Sequence, residues 1–218
     1  MGKSEHRPIK SAADLFANDE AIDRAICGVS LATPGPTEYG AVGAHDPTPT
    51  PYFILEELFG LYAFTEDSRL LDVGCGTGRV LAHFLAKGFP GRAEGVELDP
   101  ALAARARSWA ASHGNLGVFE GSVLDLDLSP YTDFYLFNPF DFRVLVRFIE
   151  KLEAEVSRPV TVVHMSDNGD TWWYLGRPGW SEMASGEFQN YIGAAGRCVQ
   201  VYQAPQHWTA WRFEPSRA

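Results

Sequence analysis

Basic side chains are scarce in this chain. Its 218 residues carry 18 Lys and Arg against 28 Asp and Glu, a formal net charge of −10 at pH 7. Nucleic-acid surfaces rely on clustered Lys and Arg to meet phosphates. No run of them occurs here, so a nucleic-acid partner is not expected. Cysteine is scarce too. Cys27, Cys75 and Cys198 are odd in number and far apart, which leaves neither a disulfide framework nor a Cys-x-x-Cys pair. No apolar run reaches the roughly 18 residues that a spanning helix needs. The first ten residues are polar and lack the apolar core of a secretory signal. These absences make a reducing, cytoplasmic setting with no membrane partner the expectation. No His, Cys, Asp and Glu set has metal-ligand spacing, so no metal is expected. Internal repeats and low-complexity segments are missing as well.

What is present suits one globular domain with a substantial core, since 45% of the residues are hydrophobic and 21% are charged. The most informative stretch is Leu70-Leu71-Asp72-Val73-Gly74-Cys75-Gly76-Thr77-Gly78-Arg79-Val80. A short apolar run predicts a buried strand, three glycines at alternate positions predict a sharp turn, and residues 80–87 have helical periodicity. Glycine serves where φ is positive or where a ligand must touch bare backbone. A helix N-terminus behind such a turn offers free N–H groups. The segment therefore predicts a cradle for a small, partly anionic ligand.

Upstream, residues 11–29 predict a helix capped by Ser11, with Leu15, Ala21, Ile22, Ala25 and Ile26 as candidates for an apolar face. Residues 33–51 are rich in Pro and Gly, including Pro34, and also carry Glu38, Tyr39, His45 and Asp46. A loop of that length is a functional lid or a plain linker. Residues 51–62 predict a helix with Ile54, Leu55, Leu58, Phe59 and Tyr62 in the core. The chain thus divides into an N-terminal helix and loop over 1–50, placed to cover a site, and a main domain over 51–218.

Downstream, strand candidates at 93–98, 116–120, 133–138 and 159–165 alternate with helices at 101–113 and from Asp141 to about 157. Such alternation with short connections predicts a parallel sheet wound with helices. Residues 169–196 hold Trp172, Trp173, Trp180 and other aromatics without clear periodicity, with a short helix expected around 180–185. Two strand candidates, 197–203 and 207–213, have hairpin spacing.

Ligands of such sheets sit beyond the C-terminal strand ends. Those ends carry Asp72, Glu97, the 122–125 stretch, Asn138-Pro139-Phe140, and the 164–168 stretch with His164 and Asp167. Glu97 stands 21 positions beyond Gly76, where an acid is suited to the two hydroxyls of a ribose. That placement alone also fits a dinucleotide enzyme.

Asp72-Val73-Gly74-Cys75-Gly76-Thr77-Gly78 resembles the first signature of class I S-adenosylmethionine-dependent methyltransferases, and Gly95-Val96-Glu97-Leu98-Asp99 resembles their acidic second signature. Nicotinamide-binding proteins usually show Gly-x-Gly-x-x-Gly without an acid two residues ahead of the first glycine. The resemblance implies a Rossmann-like, doubly wound, mostly parallel seven-stranded sheet with a C-terminal antiparallel hairpin and an N-terminal helical extension. It implies S-adenosyl-L-methionine as cofactor and S-adenosyl-L-homocysteine as product. Asp72, Gly74, Cys75, Gly76 and Gly78 would meet the methionine part, Glu97 and Leu98 the ribose, Ser122 and Val123 the adenine. Asn138 would also face the cofactor. The family often has an acid where Ser122 stands, so Ser122 and Asp125 both remain candidates at the adenine amine.

Asn138-Pro139-Phe140 is similar to the Asn-Pro-Pro-Phe/Tyr motif of amino-group methyltransferases, lacking its second proline. The resemblance implies an amine of a protein or small molecule as acceptor, with the Asn138 amide and a backbone carbonyl accepting its hydrogens. A base is needed only for an acceptor that carries a proton to be lost; the candidates are Tyr39, His45, His164, Asp167 and His207. Trp172, Trp173 and Trp180 could wall a substrate pocket or pack in the core. An S-adenosylmethionine-binding protein without transfer, and a NAD(P)-dependent oxidoreductase, are the alternatives.

Overall fold

The valine-, leucine- and phenylalanine-rich segments form the sheet expected of them. The structure, a computed structural model, describes residues 9–33, 35–193 and 196–216. The polar N-terminus up to residue 8 and Pro34 lie outside the described residues. Strands β1 (Arg69–Val73), β2 (Arg92–Glu97), β3 (Leu116–Glu120), β4 (Asp133–Phe137) and β5 (Val160–Met165) run parallel in the order β3-β2-β1-β4-β5. Beyond β5 lie β9 (Gln206–Phe213), antiparallel to it, and β6 (Trp180–Phe188) at the far edge, completing seven strands. The order reverses between β1 and β4, which opens a crevice at their C-terminal ends.

Helices α1 (Ala12–Cys27), α2 (Tyr52–Leu58), α3 (Arg79–Lys87), α4 (Pro100–Ala110) and α5 (Phe142–Glu155) cover the two faces. The pleat sorts the core. Phe134 and Leu136 of β4 turn toward Phe148, Ile149 and Leu152 of α5, whereas Tyr135 between them joins Leu55, Phe59 and Leu81 on the opposite face. Helix starts follow from their caps. The Ser11 hydroxyl accepts from Asp14 N–H, Asp99 accepts from Ala101 and Leu102 N–H, and Asp141 accepts from Arg143 and Val144 N–H.

Three expectations are corrected. Residues around 180–185 are strand, not helix. Trp180-Ser-Glu-Met-Ala-Ser has fair helical propensity, but β9 offers an open edge, and β6 pairs along it with a bulge between Glu182 and Ala184. Tertiary pairing wins over propensity here. The tail hairpin exists with other partners: β9 pairs with β6, while β8 (Cys198–Gln200) pairs with β7 (Asn190–Ile192) as a small separate ribbon. Residues 197–203 and 207–213 therefore belong to two different pairs.

Helix α1 holds the third correction. Leu15 is buried and Ile22 and Ile26 are half-buried, but Ala21 and Ala25 are exposed and Asp19 and Asp23 face inward. Their partner is Arg79, the first residue of α3, which is 6% exposed. Its Nε and Nη2 donate to the two oxygens of Asp23 at 3.0 and 2.8 Å, and Nη1 lies 3.8 Å from Asp19. Tyr52 Oη donates to Asp23 at 2.9 Å and Leu31 N–H does so at 3.0 Å. A buried charge is tolerated only when paired and hydrogen-bonded, so the extension docks through polar groups that an apolar-periodicity reading passes over.

Among the described residues of this segment, 33 and 35–51 run without regular structure apart from a 3-10 turn at Gly40–Val42 and a bridge between Ala44 and Phe140. The helix expected over 51–62 ends at Leu58 and finishes as a 3-10 turn, Phe59–Leu61. Among the described residues no helix is long and apolar enough to cross a membrane.

Two stability measurements test this docking. Asp23→Ala leaves Arg79 buried without its bidentate partner and should cost about 3–5 kcal/mol in urea unfolding; a loss below about 1 kcal/mol would contradict it. Burial raises the Asp19 carboxyl to about 6 in the folded state, above its unfolded value of 3.8. The folded chain therefore holds the extra proton, and stability falls as pH rises from 3.8 to 6. Asp19→Asn should gain on the wild type across that window, by up to about 3 kcal/mol, and then run parallel to it.

Candidate functional site

After Val73 the backbone leaves β1 through Gly74, Gly76 and Gly78, with φ of 75°, 55° and 94°. Each glycine meets a different demand. A Cβ on Gly74 would sit 2.6 Å from Pro139 Cβ, and one on Gly78 would sit 2.9 Å from Trp109 Cζ2. Gly76 has only Thr33 Cγ2, at 4.0 Å, and lines a cavity of about 390 Å³. That volume lies in the range of small-molecule sites. The bare backbone of Gly76 is thus turned to a space that one ligand can fill.

Glu97 closes the cradle from the end of β2. Its oxygens accept from Gly76 N–H at 2.7 Å and Asp99 N–H at 2.9 Å, and Gly74 and Cys75 N–H donate to Val96 O. Burial raises the Glu97 carboxyl despite these backbone hydrogen bonds. Asp72 is 3% exposed, and burial, then the neighbouring Glu97 charge, pushes its carboxyl well above the ordinary range. Two buried acids on one cavity wall favour a ligand that brings hydrogen-bond donors or positive charge.

The other expected cofactor positions are distributed unevenly. Cys75, Leu98, Ser122 and Val123 line the cavity with Asp72, Gly74 and Glu97. Gly78 stands back against Trp109, whose Nε1 donates to Thr77 O at 3.1 Å. Ser122 Oγ accepts from Leu124 N–H at 3.2 Å as the cap of a 3-10 turn, Val123–Asp125, and Asp125 is exposed on the same cavity. Pro139 and Phe140 line it, whereas Asn138 is not on its wall.

Asn138, at φ 40°, meets the proline-rich segment instead. His45 Nδ1 lies 2.9 Å from its carbonyl oxygen and 3.1 Å from its Oδ1. His45 N–H donates to Pro139 O at 3.0 Å and Asp141 N–H to Gly43 O at 2.8 Å. Tyr39 and His45 both line the cavity, so this segment is part of its wall.

The remaining candidate bases sit elsewhere. His164 is 1% exposed, with Nδ1 3.3 Å from Tyr174 Oη, and burial lowers it to about 4. Asp167 accepts from His207 Nδ1 and Thr209 Oγ1, each at 2.8 Å. Trp180 donates to Glu153 at 2.8 Å and packs on Tyr174 and Phe213. Trp173 stacks on Phe142, and Trp172 is 74% exposed. None of these lines the cavity. Residues missed from the sequence include Thr50, whose Oγ1 is 3.0 Å from Tyr135 Oη, and Arg79. The position of Arg79 directly behind the last glycine was the available signal; Thr50 offered none.

Residues 70–158 match the family model of a methyltransferase domain. No curated protein matches the chain. Among solved structures, an RNA methyltransferase from Salinibacter ruber in complex with S-adenosyl-L-homocysteine superposes with a TM-score of 0.55 at 21% identity, covering 78% of this chain and 96% of that one. An rRNA methylase from Streptococcus thermophilus gives 0.53 at 12%, covering 78% and 98%. A structure described as conversion of a disulfide bond into a thioacetal group during echinomycin biosynthesis gives 0.56 at 19%, covering 92% and 93%. At such identities the likeness is one of fold.

Thermal unfolding tests the packing assigned to the loop. Gly88→Ala adds a Cβ in open space at φ 64° and should lose about 1–2 kcal/mol from that backbone conformation alone. Gly74→Ala must in addition displace Pro139 and should lose about 1–3 kcal/mol more. Equal losses would mean that the loop does not bear on Pro139.

Proposed function

We propose that this chain, which has the Rossmann-like fold of class I S-adenosylmethionine-dependent methyltransferases and a methyltransferase domain over residues 70–158, transfers a methyl group from S-adenosyl-L-methionine to an acceptor nucleophile. The observation that carries the proposal is the pairing of buried Asp72 and Glu97 around the bare backbone of Gly76. The residues fit this cofactor. Glu97 lines the cavity and keeps acceptor capacity beyond its two backbone N–H bonds for a ribose diol, Asp72 offers a buried carboxylate to the ammonium and sulfonium end, and Ser122 and Val123 offer a wall to adenine. When bound, the cofactor supplies an electrophilic methyl group on a good leaving group.

The chain's own work is then alignment and exclusion of water. Residues 37–50 wall the cavity and are pinned to the end of β4 by the Ala44–Phe140 bridge and the His45 contacts. That supports the lid reading over a plain linker. The net charge of −10 supports a protein or small-molecule acceptor over nucleic acid. An amine acceptor would need the two Asn138 oxygens that now face His45 Nδ1, so it would have to displace that ring. The same cradle would serve a protein that binds the cofactor without transfer.

Calorimetry tests the ribose assignment. Glu97→Ala should weaken S-adenosylmethionine binding by about 1.5–3 kcal/mol, tenfold to a hundredfold in Kd, and unchanged affinity would remove Glu97 from that role. Cell extract supplied with methyl-labelled S-adenosylmethionine tests transfer. Label is expected in protein or small molecules; label in RNA or DNA reassigns the acceptor, and binding with no labelled fraction leaves the non-transferring reading.

A further inference from the structure

The contact between His45 and Asn138 fixes which nitrogen of the histidine carries its hydrogen. A backbone carbonyl oxygen only accepts, so His45 Nδ1, 2.9 Å from Asn138 O, must be the donor. The side-chain Oδ1 at 3.1 Å shares the same hydrogen, and the backbone carbonyl alone fixes the donor whichever way that amide is turned. In the neutral ring the lone pair is therefore on Nε2. His45 is exposed and lines the cavity, and among the described residues Nε2 has no hydrogen-bond partner. The ring is also held through its backbone: His45 N–H donates to Pro139 O, and the adjacent Ala44 bridges Phe140. A nitrogen that is basic, unpartnered and anchored from behind is arranged as a proton acceptor.

Resting on the methyltransferase reading, we propose that His45 Nε2 is the general base for an acceptor that must lose a proton, a phenolic hydroxyl, and that Asn138 is the residue that positions it. The acceptor oxygen forms its bond to the methyl carbon while the pair of the breaking C–S bond stays on sulfur. The hydroxyl proton passes to Nε2. The resulting imidazolium keeps its Nδ1–H on two Asn138 oxygens, a charge-assisted contact that strengthens as charge develops. A phenolic proton, with a pKa of about 10, is within reach of an imidazole base, whereas an aliphatic alcohol holds its proton far more tightly. The assignment also gives the proline-rich segment a chemical role and accounts for Asn138 lying behind the cavity wall, with its oxygens on the ring.

Two measurements test this on the full chain. Nitrogen NMR of histidine-labelled protein should show neutral His45 as the Nδ1–H tautomer, and Asn138→Ala, which keeps the backbone carbonyl, should leave that tautomer dominant; a neutral Nε2–H ring overturns the proposal. Methyl transfer is then followed with phenol, 4-nitrophenol and a primary alkylamine. His45→Ala should lower kcat/KM for phenol by about 10²–10⁴-fold, yet lower it less than tenfold for 4-nitrophenol assayed as its anion, which needs no base. Calorimetric binding of S-adenosylmethionine by the variant shows that it is folded. Equal losses on both phenols, transfer to the alkylamine alone, or no transfer to any probe while the cofactor binds would each overturn the base assignment. Failure of the wild type to bind the cofactor overturns the methyltransferase reading and this proposal together.

Discussion

A guanidinium at 6% exposure has to be matched by carboxylates, and Arg79 finds them in Asp23 and Asp19 on a helix more than fifty residues earlier in the chain. This pairing joins two parts that the topology would otherwise leave independent. Arg79 begins the helix behind the glycine loop, and Asp23 sits on the helix ahead of residues 37–50, which form part of the cavity wall. Leu31 N–H and Tyr52 Oη use the same carboxylate, so the start and finish of that wall are held at one point. Arg79 Nη1 also reaches Pro49 O at 3.5 Å. The extension reaches the site because a buried charge demands partners and the extension supplies them.

Within the wall, polar satisfaction is divided in the opposite way. Backbone groups of the glycine loop and of Asp99 are given to Glu97, while Asp72 is left at the cavity with its charge disfavoured by burial and by Glu97. Buried acids in that state store part of their free energy until a donor-rich or cationic ligand arrives. On the proposed function, the cofactor's donors and positive charge would meet the two acids in that state. At the far end, both Asn138 oxygens lie on His45 Nδ1, so that end of the cavity presents a ring and not a pair of free acceptors.

The sequence made the local part of this legible. Asp72 with its three glycines, and Glu97 at the end of the next strand, sit in segments whose periodicity, turn chemistry and spacing all agree, and the structure places Asp72, Gly74, Gly76 and Glu97 on one cavity, with Gly78 behind it. What depended on distant partners was not legible. Asp19 and Asp23 were absent from the expected inner face of α1, because nothing within the helix announces Arg79. Residues 180–188 read as partly helical because the edge they extend is made by β9, later in the chain. His45 and Asn138 were each singled out as candidates, but their contact spans 93 positions, and it changes the role of both. Hydrophobic pattern encodes which face is buried; it does not encode which buried polar group waits for which partner.

Cys75 has a consequence of a different kind. It lies between two of the loop glycines, on the wall of the proposed cofactor site, and a thiolate there would be the best nucleophile in the cavity. Its Sγ is instead packed against Gly95, where a single added Cβ would come within 2.5 Å of it, and burial holds the thiol well above its ordinary pKa. The missing side chain of Gly95 thus works as a berth: it gives the Cys75 sulfur a place to be buried, and burial keeps the thiol protonated.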